Sequence, residues 1–160
     1  MVTQRMLIAS KHKRFRQGLA RLVQLLDPGI EAVGEAATSF DVLVCSGELR
    51  PDLVLLDLSL RPGNALDLVT HIHRLSPVTA VVVISNEPDA DYRQAAVEAG
   101  ALDYVNVLEL SMKLPAVLEQ ISERIDSHEK RRTTTEPVLL EDTPPLPLTP
   151  PGNVDEPRPP

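Results

Sequence analysis

Five short apolar runs alternate with amphipathic stretches between the start of the chain and Ser127. Each run is uninterrupted and rich in branched side chains, which is typical of strands buried on both faces. The runs are Met6–Ala9, Ile30–Gly34, Leu53–Leu56, Ala80–Ile84 and Leu102–Val105. Between them apolar residues recur at helical spacing, as in the stretch from Phe15 to Leu26. The alternation predicts an α/β domain with a five-stranded parallel sheet and crossover helices.

Composition excludes several classes of function. The formal net charge of -7 argues against a nucleic-acid-binding surface, which needs clustered Lys and Arg. Cys45 is the single cysteine, so disulfide frameworks and cysteine metal sites are excluded. Apolar runs stay well below the roughly 18 residues of a membrane span, and no signal peptide opens the sequence. We therefore expect a cytoplasmic protein that does not contact membranes.

The C-terminal segment differs in composition from the rest of the chain. Proline is concentrated between Thr133 and Pro160, and this segment lacks apolar periodicity. Such a segment cannot bury enough surface to offset its ordering entropy. We therefore predict a folded domain over residues 1–130 and a disordered, proline-rich tail over residues 131–160.

Asp57 follows the apolar run Leu53–Leu56 directly, which places a carboxylate at the C-terminal end of a buried strand. Open α/β sheets bind their ligands at this edge. The loop after the first strand should reach the same edge, and it reads Ser10-Lys11. These residues are the leading candidates for a functional site.

Several stretches, taken together, resemble bacterial response-regulator receiver domains, nearest those that precede LuxR-type helix-turn-helix domains. The resemblance covers about residues 4 to 126. The matching stretches are Met6–Ala9, Phe15–Leu19, Gly34–Ala36, Pro51–Leu58, Ala99–Ala101 and Tyr104–Val105. It implies the flavodoxin-like (βα)5 receiver fold, in agreement with the alternation of strands and helices.

The resemblance also assigns roles to individual residues. Receivers accept a phosphoryl group from a histidine kinase onto an aspartate, and Asp57 matches that position. A hydroxyl after the fourth strand contacts the phosphoryl oxygens, and Ser85 matches it. An aromatic residue in the fifth strand acts as a switch, and Tyr104 matches it.

Three other positions depart from the family pattern. The acid pair that binds Mg²⁺ together with the phosphoacceptor aligns with Ser10 and Lys11, and the phosphate-binding lysine aligns with Val107. One carboxylate with backbone carbonyls is a poor Mg²⁺ site, so we expect no cofactor. An inward-pointing Lys11 would pair with Asp57 and hold its carboxylate occupied.

These departures predict an atypical, stand-alone receiver that signals through protein contacts and is not an enzyme beyond autocatalytic phosphoacceptance. The expected partners are a histidine kinase, a transcription regulator or a second copy in a homodimer. A helix-turn-helix output domain is not expected, because the proline-rich tail occupies its place. The alternatives are a conventional phosphorelay receiver phosphorylated on Asp57 and, with less support, a receiver whose emptied pocket binds a small ligand.

Overall fold

A computed structural model of the chain describes residues 3–60, 64–86 and 90–134. The five strands are β1 (Gln4–Ala9), β2 (Ile30–Ala36), β3 (Leu53–Asp57), β4 (Ala80–Ser85) and β5 (Asp103–Asn106). The five α-helices are α1 (Lys13–Leu26), α2 (Ser39–Leu49), α3 (Ala65–Leu75), α4 (Ala90–Ala99) and α5 (Leu110–Thr134). A short 3₁₀ helix over Val107–Glu109 leads into α5. The predicted alternation of strand and helix is confirmed.

All five strands pair in parallel, in the order β2-β1-β3-β4-β5. The chain passes from β1 outward to β2 at one edge of the sheet, and from β3 outward to β4 and β5 at the other. The strand order therefore reverses between the neighbouring strands β1 and β3. In open α/β sheets the crevice at such a reversal is the usual ligand site. The described strands thus have the predicted parallel arrangement, and β3 brings Asp57 to this crevice.

Apolar side chains fill both faces of the sheet. One cluster joins the sheet to α1 and α5 and includes Ile8, Leu55 and Leu114. The other joins it to α2, α3 and α4 and includes Leu56, Val69 and Tyr104. Every residue of β3 and β4 is buried. This two-sided burial explains why the two central strands read as continuous apolar runs.

Local sequence signals account for two of the helix ends. The hydroxyl of Thr38 accepts a hydrogen bond from the backbone N–H of Asp41 and so caps α2. Gly100 follows α4 with a φ of 113°, a conformation that side-chain-bearing residues rarely adopt. Gly100 therefore ends α4 in the way that glycine commonly ends helices.

The sequence predicts the surface less accurately. Helical spacing places Leu26 on the buried side of α1, but this residue is 38% exposed, and Phe40, an apolar residue of α2, is 71% exposed. Both lie at helix ends, where a helical repeat no longer has the sheet beneath it.

Helix α5 continues to Thr134, past the predicted domain boundary at 130. The rest of the predicted tail, residues 135–160, lies outside the described residues. None of the described helices is long and apolar enough to cross a membrane.

Candidate functional site at the carboxyl edge of the sheet

Asp57 is the last residue of β3, and only 7% of it is exposed. Its register partner is Ile84 on β4, and the residue after Ile84 is the buried Ser85. On the other side of β3, the loop after β1 begins with Ser10, which is fully buried. The order of the strands therefore places Asp57 between Ser10, which follows β1, and Ser85, which ends β4.

Within the described part of the chain, three hydrogen bonds to the carboxylate of Asp57 come from uncharged donors. The hydroxyls of Ser10 and Ser59 both donate to Oδ2, at 2.7 Å and 2.6 Å. The backbone N–H of Ser59 donates to Oδ1 at 3.0 Å. The last contact is an Asx-turn, in which an aspartate bonds the backbone two residues ahead. Among the described residues, the carboxylate is therefore held by hydrogen bonds, and none of their ion pairs involves it.

Ser10 links this carboxylate to the start of α1. Its hydroxyl donates to Asp57 and accepts a bond from the backbone N–H of His12 at 3.1 Å. Its backbone carbonyl accepts a bond from the guanidinium of Arg16 at 2.6 Å. Ser10 therefore joins Asp57, the loop after β1 and the first turn of α1.

The expected pairing of Lys11 with Asp57 is wrong. Lys11 is exposed, and no ion pair between described residues involves it. The physical reason is that the preceding residue, Ser10, points its hydroxyl inward and already satisfies Asp57. Hydroxyl donation avoids the desolvation penalty that burying an ammonium group would carry.

Arg16 is a cation at this edge that the sequence did not reveal. Its side chain is only 12% exposed and lies 3.4 Å from a carboxylate oxygen of Glu35 at the end of β2. It therefore fixes the loop through the Ser10 carbonyl while its charge is balanced by Glu35. Ser59 also belongs to the site without having been predicted, although an aspartate two residues before a serine is a common turn signal.

The remaining predicted site residues lie at neighbouring strand ends. Ser85 ends β4 and is 4% exposed. Val107 begins the 3₁₀ helix, and its side chain packs against the core cluster shared with α1 and α5. Tyr104 is 5% exposed and packs in the opposite cluster, beneath α4. The structure thus joins Ser10 directly to Asp57 and does not join Lys11 to it.

The described residues offer a poor set of ligands for Mg²⁺. Hard divalent cations need several oxygen ligands, and carboxylates supply most of the binding energy. The described part of the chain contains no cluster of three or more His, Cys, Asp or Glu side chains that could hold a metal. Around Asp57 the neighbouring side-chain oxygens belong to Ser10 and Ser59, which act as donors to the carboxylate.

Comparison with known proteins agrees with this architecture. Residues 6–107 match the family model of the response regulator receiver domain. The chain belongs to the response regulator receiver family. A solved two-component response regulator of the LuxR family from Aurantimonas sp. SI85-9A1 is 25% identical, with a TM-score of 0.66, and the match covers 79% of this chain and 98% of that one. The predicted receiver identity and its LuxR-type character are confirmed.

Two curated relatives show how the receiver domain is used in longer proteins. The uncharacterized transcriptional regulatory protein YhcZ of Bacillus subtilis is 34% identical over 100 residues, which is 62% of this chain and 46% of that protein. A protein-glutamate methylesterase/protein-glutamine glutaminase of Agrobacterium fabrum is 36% identical over 90 residues, 56% of this chain and 26% of that enzyme. This receiver therefore spans less than half the length of these relatives.

The hydrogen bonds of the site predict that Ser10, and not Lys11, contributes to stability. Ser10→Ala leaves Asp57 and the N–H of His12 each without one partner, at an expected cost of about 1–3 kcal/mol. Lys11→Ala removes an exposed side chain and should change the free energy of unfolding by about 0.5 kcal/mol or less. Urea unfolding of both variants beside the parent measures the difference. Equal losses in the two variants would contradict the hydrogen-bonded arrangement.

Proposed function

We propose that this receiver transmits signals through protein contacts and does not use phosphorylation of Asp57. Receiver domains in general take part in two-component signalling and use Mg²⁺ when they are phosphorylated. The observation that carries the proposal is the carboxylate of Asp57, whose oxygens accept bonds from Ser10 and Ser59. A phosphoacceptor must present an oxygen lone pair to the incoming phosphorus atom, and described donors already engage three of the roughly four lone-pair sites of this carboxylate.

The charge around Asp57 supports the same proposal. Phosphoryl transfer needs a cation to offset the charge that develops on the phosphoryl oxygens. Lys11 is exposed, and the largely buried Arg16 is engaged with Glu35 and the Ser10 carbonyl. Neither residue replaces the metal or the phosphate-binding lysine of a conventional receiver, so we propose that the Mg²⁺ site is lost.

Exposed apolar side chains near α5 support an output through protein contacts. Leu108, in the 3₁₀ helix before α5, and Met112, in the first turn of α5, are 86% and 80% exposed. Tyr92 and Val97 of α4 are 41% and 51% exposed. Apolar side chains grouped on a surface commonly mark interaction sites. We propose that a cytoplasmic protein partner binds these exposed side chains of α4 and the region where α5 begins, and that nucleic acid does not. The partner is a histidine kinase, a transcription regulator or a second copy.

A conventional phosphorelay receiver is the alternative. It is favoured by the position of Asp57 at the end of a central strand and by the buried Ser85 at the end of the next strand. These residues would hold the aspartyl phosphate if the carboxylate were freed from its serine donors.

The deciding experiment is incubation with Mg²⁺ and a small phosphodonor, followed by intact mass measurement. We expect no gain of a phosphoryl group, because neither of the described cations at this edge, Lys11 and Arg16, is free to offset charge on the phosphoryl oxygens. A conventional receiver treated in parallel shows that the phosphodonor is active. A mass gain of one phosphoryl group that disappears in Asp57→Asn would establish the alternative function.

A further inference from the structure

Positive charge is concentrated at the start of the chain. The segment from Met1 to Leu26 contains six Lys and Arg side chains and no Asp or Glu, although the whole chain has a net charge of -7. Of the exposed cations in this region, Arg14 and Arg21 lie on the outer face of α1. No ion pair between described residues involves either of them. The outer face of α1 is thus an unneutralised basic surface.

This surface combines charge with one exposed apolar side chain. Arg14, Gly18, Arg21 and Leu25 recur at intervals of three or four residues, so they form one stripe along the helix. Leu25 is 82% exposed at the C-terminal end of the stripe, and the space above Gly18 is open. The four residues define what we call the α1 stripe.

The local electrostatics of α1 favour an anionic partner. The first turn contains no acidic residue, and no side chain caps the N-terminus. Lys13 and Arg14 therefore stand at the positive end of the helix dipole, where cations are unfavourable. A carboxylate brought to this surface would relieve that repulsion in addition to pairing with the arginines.

The chain carries a segment with matching chemistry just beyond α5. Residues 135–160 contain five acidic side chains and one basic side chain. Within them, Leu139 and Leu140 are followed directly by Glu141 and Asp142. In an extended chain, the two-residue step from the leucines to the acids would span about 7 Å. The rise along α1 between Arg21 and Leu25 is roughly 6 Å, so the two spacings match. Leucines over Leu25 would therefore bring the acids beside Arg21.

The geometry of α5 brings this segment within reach. Helices α1 and α5 pack on the same face of the sheet and run in the same direction, since each follows a strand of a parallel sheet. Ile125 is the last core-packed residue of α5 among those whose side chains are described, and the helix backbone continues beyond it for about 14 Å, to Thr134. The extended stretch 135–140 can span about 20 Å, which is enough to return to the end of α1.

We propose that residues 139–142 of this chain dock on the α1 stripe, with the leucines at Leu25 and the acids at Arg21 and Arg14. The contact is intramolecular, so even weak pairing is populated, because a short connection gives an effective concentration in the millimolar range. The docked segment covers the outer face of α1, and a protein that binds this face must displace it. The proposal is independent of whether Asp57 is phosphorylated.

Paramagnetic relaxation in the full-length chain tests the docking. A nitroxide is attached at Thr143→Cys in a Cys45→Ser background, and line broadening is read from backbone amides. We expect selective broadening along the α1 stripe, little on the exposed face of α2, and loss of the α1 broadening at about 1 M salt, where the Debye length is roughly 3 Å. Glu141→Lys with Asp142→Lys should abolish the broadening.

Matched variants make the result specific. Asp155→Lys with Glu156→Lys makes the same change of charge farther along the segment and should leave the broadening in place. Reversing Arg14 and Arg21 to glutamate should remove it, and combining that reversal with lysines at 141 and 142 should restore it. Uniform broadening over the surface, or broadening that survives the reversal of Arg14 and Arg21, would overturn the proposal. So would broadening in a mixture of isotope-labelled and spin-labelled molecules, which would assign the contact to a second copy.

Discussion

The triple variant Ser10→Asp, Lys11→Asp and Val107→Lys is expected to gain one phosphoryl group on Asp57, under conditions in which the parent gains none. The carboxylate introduced at position 10 lies beside Asp57, and Mg²⁺ bound there draws in the carboxylate at position 11 as a further oxygen ligand. The bound metal then offsets charge on the transferring phosphoryl group, and the new lysine contacts its oxygens. Intact mass after incubation with a small phosphodonor, with and without Mg²⁺, measures the gain.

The same variant should show the metal through its stability. Without Mg²⁺, the carboxylate introduced at position 10 repels Asp57 at close range, and Ser10→Asp also removes a hydroxyl donor to it. Mg²⁺ binds only the folded state and should restore about 2.7 kcal/mol at a concentration about 100 times its dissociation constant. The parent should not respond to Mg²⁺. The triple variant that also carries Asp57→Asn must gain no phosphoryl group, and a triple variant that stays unphosphorylated would show that more than three residues were lost.

The central part of the fold could be predicted from the sequence because its signals are strong and local. β3 and β4 are buried on both faces and therefore read as uninterrupted apolar runs. Thr38 and Gly100 mark helix ends through their own chemistry. Exposure was harder to predict at helix ends, as Phe40 and Leu26 show, since helical spacing alone does not indicate where the sheet beneath ends.

The candidate site was predicted less well, because its contacts depend on which way neighbouring side chains point. Ser10 and Lys11 are adjacent in sequence, and only the structure shows that the serine faces Asp57 while the lysine faces outward. Arg16 reaches back along the chain to the carbonyl of Ser10, a contact that no spacing rule predicts. By contrast, the contact of Ser59 with Asp57 follows a known turn pattern and could have been found.

Tyr104→Ala is expected to destabilise the domain by about 3–5 kcal/mol, the usual cost of removing a large buried aromatic side chain. Tyr104 is 5% exposed and packs in a cluster whose α4 members are alanines, namely Ala96 with the partly buried Ala99. The ring therefore provides much of the apolar contact between α4 and the sheet. Among the described residues of α4, only Ala96 is fully buried. Few other contacts therefore hold this helix against the sheet.

Urea unfolding and amide exchange together measure this effect. Exchange should accelerate first in α4, because the remaining alanine contacts contribute little burial. Tyr92→Ala on the same helix is the matched control, since that residue is 41% exposed and the loss of its ring should cost far less. A loss no greater than that of Tyr92→Ala would show that Tyr104 does not hold α4. A large loss would mean that Tyr104→Ala disturbs α4 itself. The switch role that the family resemblance implies for Tyr104 is then better tested with Tyr104→Phe, which keeps the ring.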